Sequence, residues 1–177
     1  MKRVKNIFKL LIVAIFLFSS CDKIEELLTF NIHNSTDFVI KNTVVVNLPF
    51  DIPTPSITTN SETEFKNNNT ASHLVKNIYL DKLQLSIIKP EGATFSFLKS
   101  ITIYISADGM EEIELAYITD IDKNANIISL DPTNEKLDGY VKGDKYSLRT
   151  QVTTNKIVTD DTTIKADMTF KVTANPF

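Results

Sequence analysis

The sequence predicts an all-β protein, folded as a single antiparallel β-sandwich of the immunoglobulin-like or jelly-roll kind. Apolar and polar residues alternate with a period of two along several segments, as expected of strands with one buried face. No segment carries a long helical stripe, and turn residues separate the segments at short intervals without a βαβ rhythm. A closed β-barrel is the alternative, although 4 glycines in 177 residues offer little help for tight bending.

Four segments show the alternation most clearly, and each predicts a strand that turns one face to the core. The inward positions are Phe38, Ile40, Val44 and Val46 in the first, Ile101, Ile103 and Ile105 in the second, Tyr146, Leu148, Thr150 and Val152 in the third, and Ile164, Ala166, Met168, Phe170 and Val172 in the fourth. The pattern continues to the C-terminus without a sign of a second domain, so residues 28–177 are assigned to one sandwich domain.

A fifth segment changes its parity part-way along. The apolar positions shift between residues 78–80 and residues 83–87, which predicts a β-bulge near Asp81 and Lys82. Residues 48–59 contain three prolines and predict a loop or an irregular sheet edge.

Two short helical turns are predicted, over residues 70–76 and residues 132–137. In the second, Asp131 is placed to cap the first turn, Pro132 suits the first helical position and Gly139 suits the exit.

The Asp108-Gly109 pair predicts a hairpin turn between two apolar runs. A three-residue loop, 107–109, would pair Ile103 with Ile113 on one buried face, whereas a two-residue loop would place glutamates opposite isoleucines. Gly109 would then occupy the left-handed position that ends such loops.

The N-terminus has the pattern of a secretory signal rather than of a folded element. Four cations, Lys2, Arg3, Lys5 and Lys9, precede an apolar run over residues 10–18, which is too short to span a bilayer as a helix. Small residues follow at Ser19 and Ser20. We therefore expect residues 1–20 to be a cleaved signal peptide.

The only cysteine, Cys21, directly follows Phe18-Ser19-Ser20. This segment resembles the lipobox of bacterial lipoproteins, with Phe18 in place of the usual leucine. The resemblance implies a diacylglyceryl group on the Cys21 thiol, cleavage just before it, and a fatty acyl chain such as palmitate on the new α-amine. Residues 21–27 would form a lipidated tether, and the protein would be lipid-anchored at the outer membrane, facing either the periplasm or the cell surface.

Loss of residues 1–20 would leave 15 basic and 22 acidic residues, a net charge of −7. Such a balance gives no support to nucleic-acid binding, which requires clustered positive charge. The acidic stretch 22–26 resembles a surface-export signal of some Gram-negative lipoproteins, and it also suits a solvated spacer.

Few residues suit catalysis, so the chain is not expected to be an enzyme, with an uncharacterised hydrolase as a minor alternative. The only histidines, His33 and His73, lie apart in an early strand and a polar turn, and no Gly-x-Ser-x-Gly motif is present. Glu111, Glu112 and Glu114 are expected to form a charged solvent face. No cofactor is predicted.

One loop partly resembles a calcium-binding EF-hand loop, with oxygen-bearing side chains at alternate positions. Ala125 replaces the glycine of the sharp turn, so a polar hairpin tip is the preferred interpretation and no metal site is predicted. The weak candidate ligands are Asp120, Asp122, Asn124, Asn126 and Asp131.

These observations favour a membrane-anchored, non-catalytic binding or structural module, whose partner is an unidentified envelope protein or ligand. Loops over residues 48–59 and 67–70 are the predicted binding surfaces, because loops carry function on rigid β scaffolds. The alternative function is a carrier that holds a lipid or another apolar ligand inside the sandwich or barrel.

Overall fold

The computed structural model describes residues 28–175, which form nine strands, two short helices and one 3₁₀ turn. The strands are β1 (Thr29–Ile40), β2 (Pro49–Pro53), β3 (Ile57–Thr58), β4 (Val75–Lys89), β5 (Leu98–Ser106), β6 (Ile113–Ile118), β7 (Ile127–Pro132), β8 (Lys145–Thr154) and β9 (Thr162–Ala174). The helices are α1 (Ser61–Asn67) and α2 (Asp138–Val141), and the 3₁₀ turn is Phe95–Phe97.

The strands follow the order β1-β9-β4-β7-β6-β5-β8-β2, with β3 paired to β8, and every pairing is antiparallel. The first four strands of this order form one half and the last four the other. Strands early in the chain pair with strands late in the chain: β1 with β9, β2 with β8, β4 with β7 and β5 with β6. This nested pattern is the one that a single long hairpin gives when it is rolled up.

This topology is that of a jelly roll with two interlocked Greek keys. The all-β antiparallel prediction is therefore confirmed, and the jelly-roll form is the one observed. In the described residues the strand path ends at β1 on one side and at β2 on the other, so hydrogen-bonded pairing does not close the sheet into a barrel.

A single core fills the space between the two halves. Tyr146 of β8 meets Phe170 of β9 edge-to-face, with ring centroids 6.1 Å apart. The inward positions predicted in β5, β8 and β9 are all buried, which confirms those three patterns. The bulge near Asp81 and Lys82 is also confirmed, because the register of β4 against β9 shifts between Leu80 and Lys82.

The first predicted strand is only half correct. Phe38 and Ile40 are buried in β1, but Val44 and Val46 lie in the following loop. The strand ends because the Val44 amide donates to the Lys41 carbonyl and forms a turn there. The sequence contained a signal for this strand end, because Asn42 is polar at a position where the alternation requires an apolar residue.

The first predicted helical turn is present, because residues 72–74 form a single turn before β4 in which the Ala71 carbonyl accepts the Leu74 amide at 2.9 Å and the Val75 amide at 3.3 Å. The second predicted turn is wrong in position. Pro132 ends β7, Asp131 lies opposite Tyr117 of β6 rather than at a cap, and α2 contains Gly139. After Pro132 the Thr133 hydroxyl donates to the Glu114 carbonyl and Asn134 has φ +62°, in the left-handed region, so no helix begins there.

The hairpin prediction is correct for the turn and wrong for the register. Gly109 has φ +75°, in the left-handed region, but Ile113 pairs with Ile105 rather than with Ile103. A longer loop and a bulge after Ile103 allow the adjacent residues Leu115 and Ala116 both to be buried. Residues 48–59 form the edge strands β2 and β3, in agreement with the predicted irregular edge.

Candidate functional site

The jelly roll has two chemically different ends. Leu28 and Asn175 lie at one, called here the proximal end, where the Ala174 amide donates to the Leu28 carbonyl at 3.2 Å. Both helices pack at this end. The opposite, distal end is formed by four loops, residues 41–48, 90–97, 119–126 and 155–161. β1 runs from one end to the other with 12 residues, which at about 3.3 Å per residue separates the ends by roughly 35–40 Å.

Backbone hydrogen bonds join the distal loops to one another. They run from the Asn47 amide to the Thr154 carbonyl, from the Asn155 amide to the Phe97 carbonyl and from the Phe95 amide to the Ala125 carbonyl, each at 2.8 Å. These bonds tie loop 41–48 to the end of β8, loop 155–161 to the 3₁₀ turn, and loop 90–97 to the β6–β7 loop.

An ion pair joins the first and last of these loops. The Lys41 ammonium lies 2.7 Å from the Asp161 carboxylate, which also accepts the Asn42 amide at 3.1 Å. The hydrogen bond from Lys41 and then that from the Asn42 backbone lower the pKa of Asp161. Loop 41–48 and loop 155–161 therefore run side by side, bonded near both of their ends.

Large aliphatic side chains are exposed on these two loops. The exposed fractions are 61% for Val45, 58% for Leu48 and 74% for Ile157. We call these three residues the distal aliphatic patch. Ile88 and Ile127 are also exposed at the distal end of the first half, so five of the eight large apolar side chains exposed in the described residues lie at this end.

A cleft of about 330 Å³ opens beside the patch, between loop 90–97 and loop 155–161. Ile157 lies on its wall with Pro90 and Phe97, and Lys156 and Asp160 contribute one charge of each sign. The cleft thus has an apolar wall and a polar lining, in which the charges of Lys156 and Asp160 cancel.

A second polar cluster lies on the outer face of the other half. The Arg149 guanidinium contacts Asp51 of β2 at 2.6 Å and Glu112 at 2.6 Å, and it lies 4.0 Å from the centre of the Tyr104 ring. The hydrogen bond to Glu112 is the main cause that raises the pKa of Arg149. These contacts hold edge strand β2 and the β5–β6 loop against β8, which is a structural role.

Sequence reasoning missed both features. The alternation in β8 places Arg149 on the outer face, but its pairing with Asp51 depends on the register of β2, which a proline-bearing segment does not reveal. Exposed Val45 was hidden because it lies between Val44 and Val46 of an apparent strand pattern, whereas Leu48 begins the predicted binding loop 48–59.

The weak metal candidates lie mainly in the β6–β7 loop, as the polar-tip interpretation predicts. Asp120, Asp122, Asn124 and Asn126 belong to this loop, and Asp131 lies on β7. The Asp122 carboxylate accepts the Asn124 amide at 2.9 Å, as in an Asx turn. Within residues 28–175 no group of three or more His, Cys, Asp or Glu side chains is arranged to hold a metal ion.

The other singled-out residues are dispersed. His33 lies on β1, with its Nδ1 atom 3.1 Å from the Thr169 hydroxyl, and His73 lies in the turn before β4. Residues 67–70, a predicted binding loop, lie at the proximal end, beside Leu28. Cys21 and the signal segment lie outside the described residues.

No protein-family model matches the chain, and no curated protein matches it. Among solved structures, a candidate secreted protein from Eubacterium rectale is similar over 83% of this chain at 14% identity, with a TM-score of 0.47. The chain spans 40% of that protein. FlhE, at 6% identity and a TM-score of 0.37, and the decameric BFDV capsid protein, at 9% and 0.39, each align with 83% of this chain and cover 97% and 98% of their own.

TM-scores below 0.5 carry no argument about function. What the structure defines is an all-β jelly-roll module with hydrogen-bonded loops at its distal end. None of the helices in residues 28–175 is both long enough and apolar enough to cross a bilayer.

Proposed function

We propose that the protein is a lipid-anchored lipoprotein of the bacterial cell envelope, whose jelly roll is a non-catalytic binding module. The main observation behind this proposal is that the two ends of the domain differ. The chain enters β1 at the proximal end, whereas the hydrogen-bonded distal loops with their exposed aliphatic side chains lie at the other end. An anchor on Cys21 would hold the distal end away from the membrane.

The length of the tether supports this orientation. Residues 22–27 can span at most about 20 Å when fully extended. That distance is shorter than the body, whose ends are separated by roughly 35–40 Å. The distal end therefore cannot point straight down into the membrane that holds the anchor, and it could reach that membrane only if the body tilted.

The packing of the interior favours a binding surface over an internal carrier site. Core side chains from both halves form one cluster, with Phe95, Phe170 and Tyr146 among the fully buried members. The distal cleft opens between loops 90–97 and 155–161, at one end of the body rather than between the halves. A lipid inside the sandwich would have to displace these side chains.

The chemistry of the distal cleft supports a non-catalytic role. Its polar lining consists of Lys156, Asp160 and hydroxyl groups such as those of Thr94 and Thr159. A nucleophile activated by a neighbouring base is the usual requirement for covalent catalysis. Lysine and hydroxyl groups beside an aliphatic wall are better suited to hydrogen bonding of a bound partner.

Metabolic labelling tests the anchor. Cells that express the wild type, Cys21→Ser or Ser20→Ala are grown with an alkyne fatty acid, and the purified proteins are conjugated to a fluorophore. We expect label in the wild type and in Ser20→Ala, which keeps a small residue before the cysteine, and none in Cys21→Ser. Equal label in Cys21→Ser would contradict the proposal, and protease digestion of intact cells would distinguish surface exposure from a periplasmic location.

A further inference from the structure

We propose that Asp108 is a modification site, at which the side chain isomerises spontaneously to isoaspartate in the turn between β5 and β6. Water is the only co-reactant, so neither the anchor nor the binding role is involved. The chain contains two Asp-Gly pairs, Asp108-Gly109 and Asp138-Gly139, and the fold places them in opposite situations.

The reaction begins when the Gly109 amide nitrogen attacks Cγ of the Asp108 carboxyl group. A bond forms between these two atoms, the bond from Cγ to the hydroxyl breaks, and the hydroxyl leaves with the amide proton as water. Water then opens the five-membered succinimide. Addition at the Cγ carbonyl restores aspartate, whereas addition at the main-chain carbonyl leaves the chain running through Cγ, as isoaspartate. Glycine hinders the attack least, because it has no Cβ.

Both reacting groups are available in the β5–β6 turn. The Met110 amide donates to the Ala107 carbonyl at 3.0 Å and closes the turn without the Gly109 amide. Within residues 28–175, neither that amide nor the exposed Asp108 carboxylate is hydrogen bonded to another protein group. Nothing lies within 4 Å of the place that a Cβ of Gly109 would take. The backbone can therefore make the rotation that ring closure requires, as exposed turns generally can.

The Asp138-Gly139 pair is protected in three ways. The Asp138 carboxylate accepts the Ile78 amide at 3.2 Å and lies 3.4 Å from the Lys142 ammonium, and 18% of the side chain is exposed. The Asp138 carbonyl accepts the Lys142 amide within α2, which holds the backbone in a helical conformation. The Met110 methyl group lies 2.6 Å from the place that a Cβ of Gly139 would take, so the helix has no room to rearrange there.

Isomerisation at Asp108 has a consequence for the rest of the β5–β6 loop, because isoaspartate adds one carbon atom to the main chain. The Glu111 carbonyl accepts the Tyr140 hydroxyl at 2.8 Å, and Glu112 pairs with Arg149. Both contacts follow shortly after the added atom. We therefore expect the modified molecules to unfold more readily than the unmodified ones.

Incorporation of oxygen-18 tests the modification. The full-length protein in detergent is incubated for several weeks in water enriched in this isotope and is then digested with trypsin in ordinary water. Each passage through the succinimide exchanges one oxygen atom, so the peptide gains about 2 Da. We expect label at Asp108 and an isoaspartate form in residues 100–123, and about tenfold less label in residues 137–142, which contain Asp138. In concentrated urea both peptides should gain label at similar rates, because the protection of Asp138 comes from the fold.

Three variants serve as controls. Asp108→Glu keeps the charge but needs a six-membered ring, so label at this position should be lost. Gly109→Ala should gain label several times more slowly, because a methyl group crowds the attacking nitrogen. Gly143→Ala changes a glycine that follows a lysine, and it should gain label like the wild type.

Brief proteolysis in urea near the unfolding midpoint then tests the consequence, because it digests the unfolded molecules and spares the folded ones. We expect isoaspartate to be enriched in the digested fraction. Equal label in the two peptides of the folded protein, no label at Asp108, or undiminished label in Asp108→Glu would overturn the modification site. Isoaspartate spread evenly over both fractions would overturn its effect on the loop.

Discussion

The phenol of Tyr146 on β8 donates a hydrogen bond to Oδ1 of Asn34 on β1 at 3.2 Å, and so connects the two halves of the jelly roll through a partly buried polar contact. The side-chain amide of Asn34 in turn donates to Oδ1 of Asn60, next to α1, at 3.1 Å. Burial raises the pKa of Tyr146 above its ordinary value, because the ionised phenolate would lose its hydration.

Tyr146→Phe should destabilise the protein by about 1 kcal/mol at neutral pH, because Asn34 loses its donor. Wild-type stability should be complete below about pH 10 and fall above it, since the unfolded chain then ionises this tyrosine while the folded chain does not. The phenylalanine variant lacks that group, so the stability difference should shrink as the pH rises further.

Urea unfolding from pH 7 to pH 11 checks this prediction. Tyr79→Phe, which alters an exposed tyrosine on the outer face of β4, is the matched control and should follow the wild type throughout. A gap between wild type and Tyr146→Phe that stays constant to pH 11 would show that the phenol does not ionise differently in the two states.

Arg149→Met should destabilise the protein by about 1 kcal/mol, because it leaves Asp51 and Glu112 without their shared cation while keeping an alkyl chain over Tyr104. Arg149→Lys should recover only part of the loss, since a lysine cannot bond both carboxylates with a planar fork. Lys66→Met, which breaks an exposed pair with Glu62, is the control and should cost clearly less than Arg149→Met. Chemical denaturation in low and in high salt gives the comparison, and equal costs for Arg149→Met and Lys66→Met would refute it.

Gly109→Ala should cost about 1 kcal/mol of unfolding free energy through backbone strain alone. Gly109 has φ +75° and nothing within 4 Å of the place a Cβ would take, so no clash contributes. Gly143 also has open space but no positive φ, which makes Gly143→Ala the matched control with little change. The urea midpoints of the two variants test this prediction. Equal midpoints would mean that the turn accepts alanine without strain.

The β6–β7 loop should bind calcium no more tightly than the millimolar range of weak extracellular modules. The Asp122 carboxylate already accepts the Asn124 amide within the loop, and the Asn126 carbonyl accepts the Ile87 amide of β4, so two oxygens of the loop are already engaged. Isothermal titration calorimetry with calcium measures the affinity. Micromolar binding that Asp122→Ala abolishes would count against the prediction.

The strands with strict alternation could be predicted from the sequence, because each inward residue of β5, β8 and β9 meets the other half across one core. The order of the strands could not, since local patterns do not state which strands pair. The predicted register of β5 against β6 was wrong for a related reason. Leu115 and Ala116 are consecutive, and only a bulge, which has no local signature here, allows both to be buried.

The candidate surface was less accessible to sequence reasoning than the fold. Val45 looked like a strand residue, and Ile157 looked like an isolated loop residue more than a hundred positions away. Only the pairing of β1 with β9 and of β2 with β8 brings their loops together. Of the two predicted binding loops, residues 67–70 belong to the end at which the chain enters, while residues 48–59 begin at Leu48 of the distal patch.

The direction of the first strand has a mechanical consequence. A pull between the residues before Thr29 and a protein held at the distal loops would act nearly along the axis of β1, which pairs with β9 through twelve consecutive positions. Under such a load the hydrogen bonds between these strands are sheared together rather than peeled one after another. The force needed to unfold the protein should therefore be much higher along this axis than across the sheet, for example between Ile40 and Thr162.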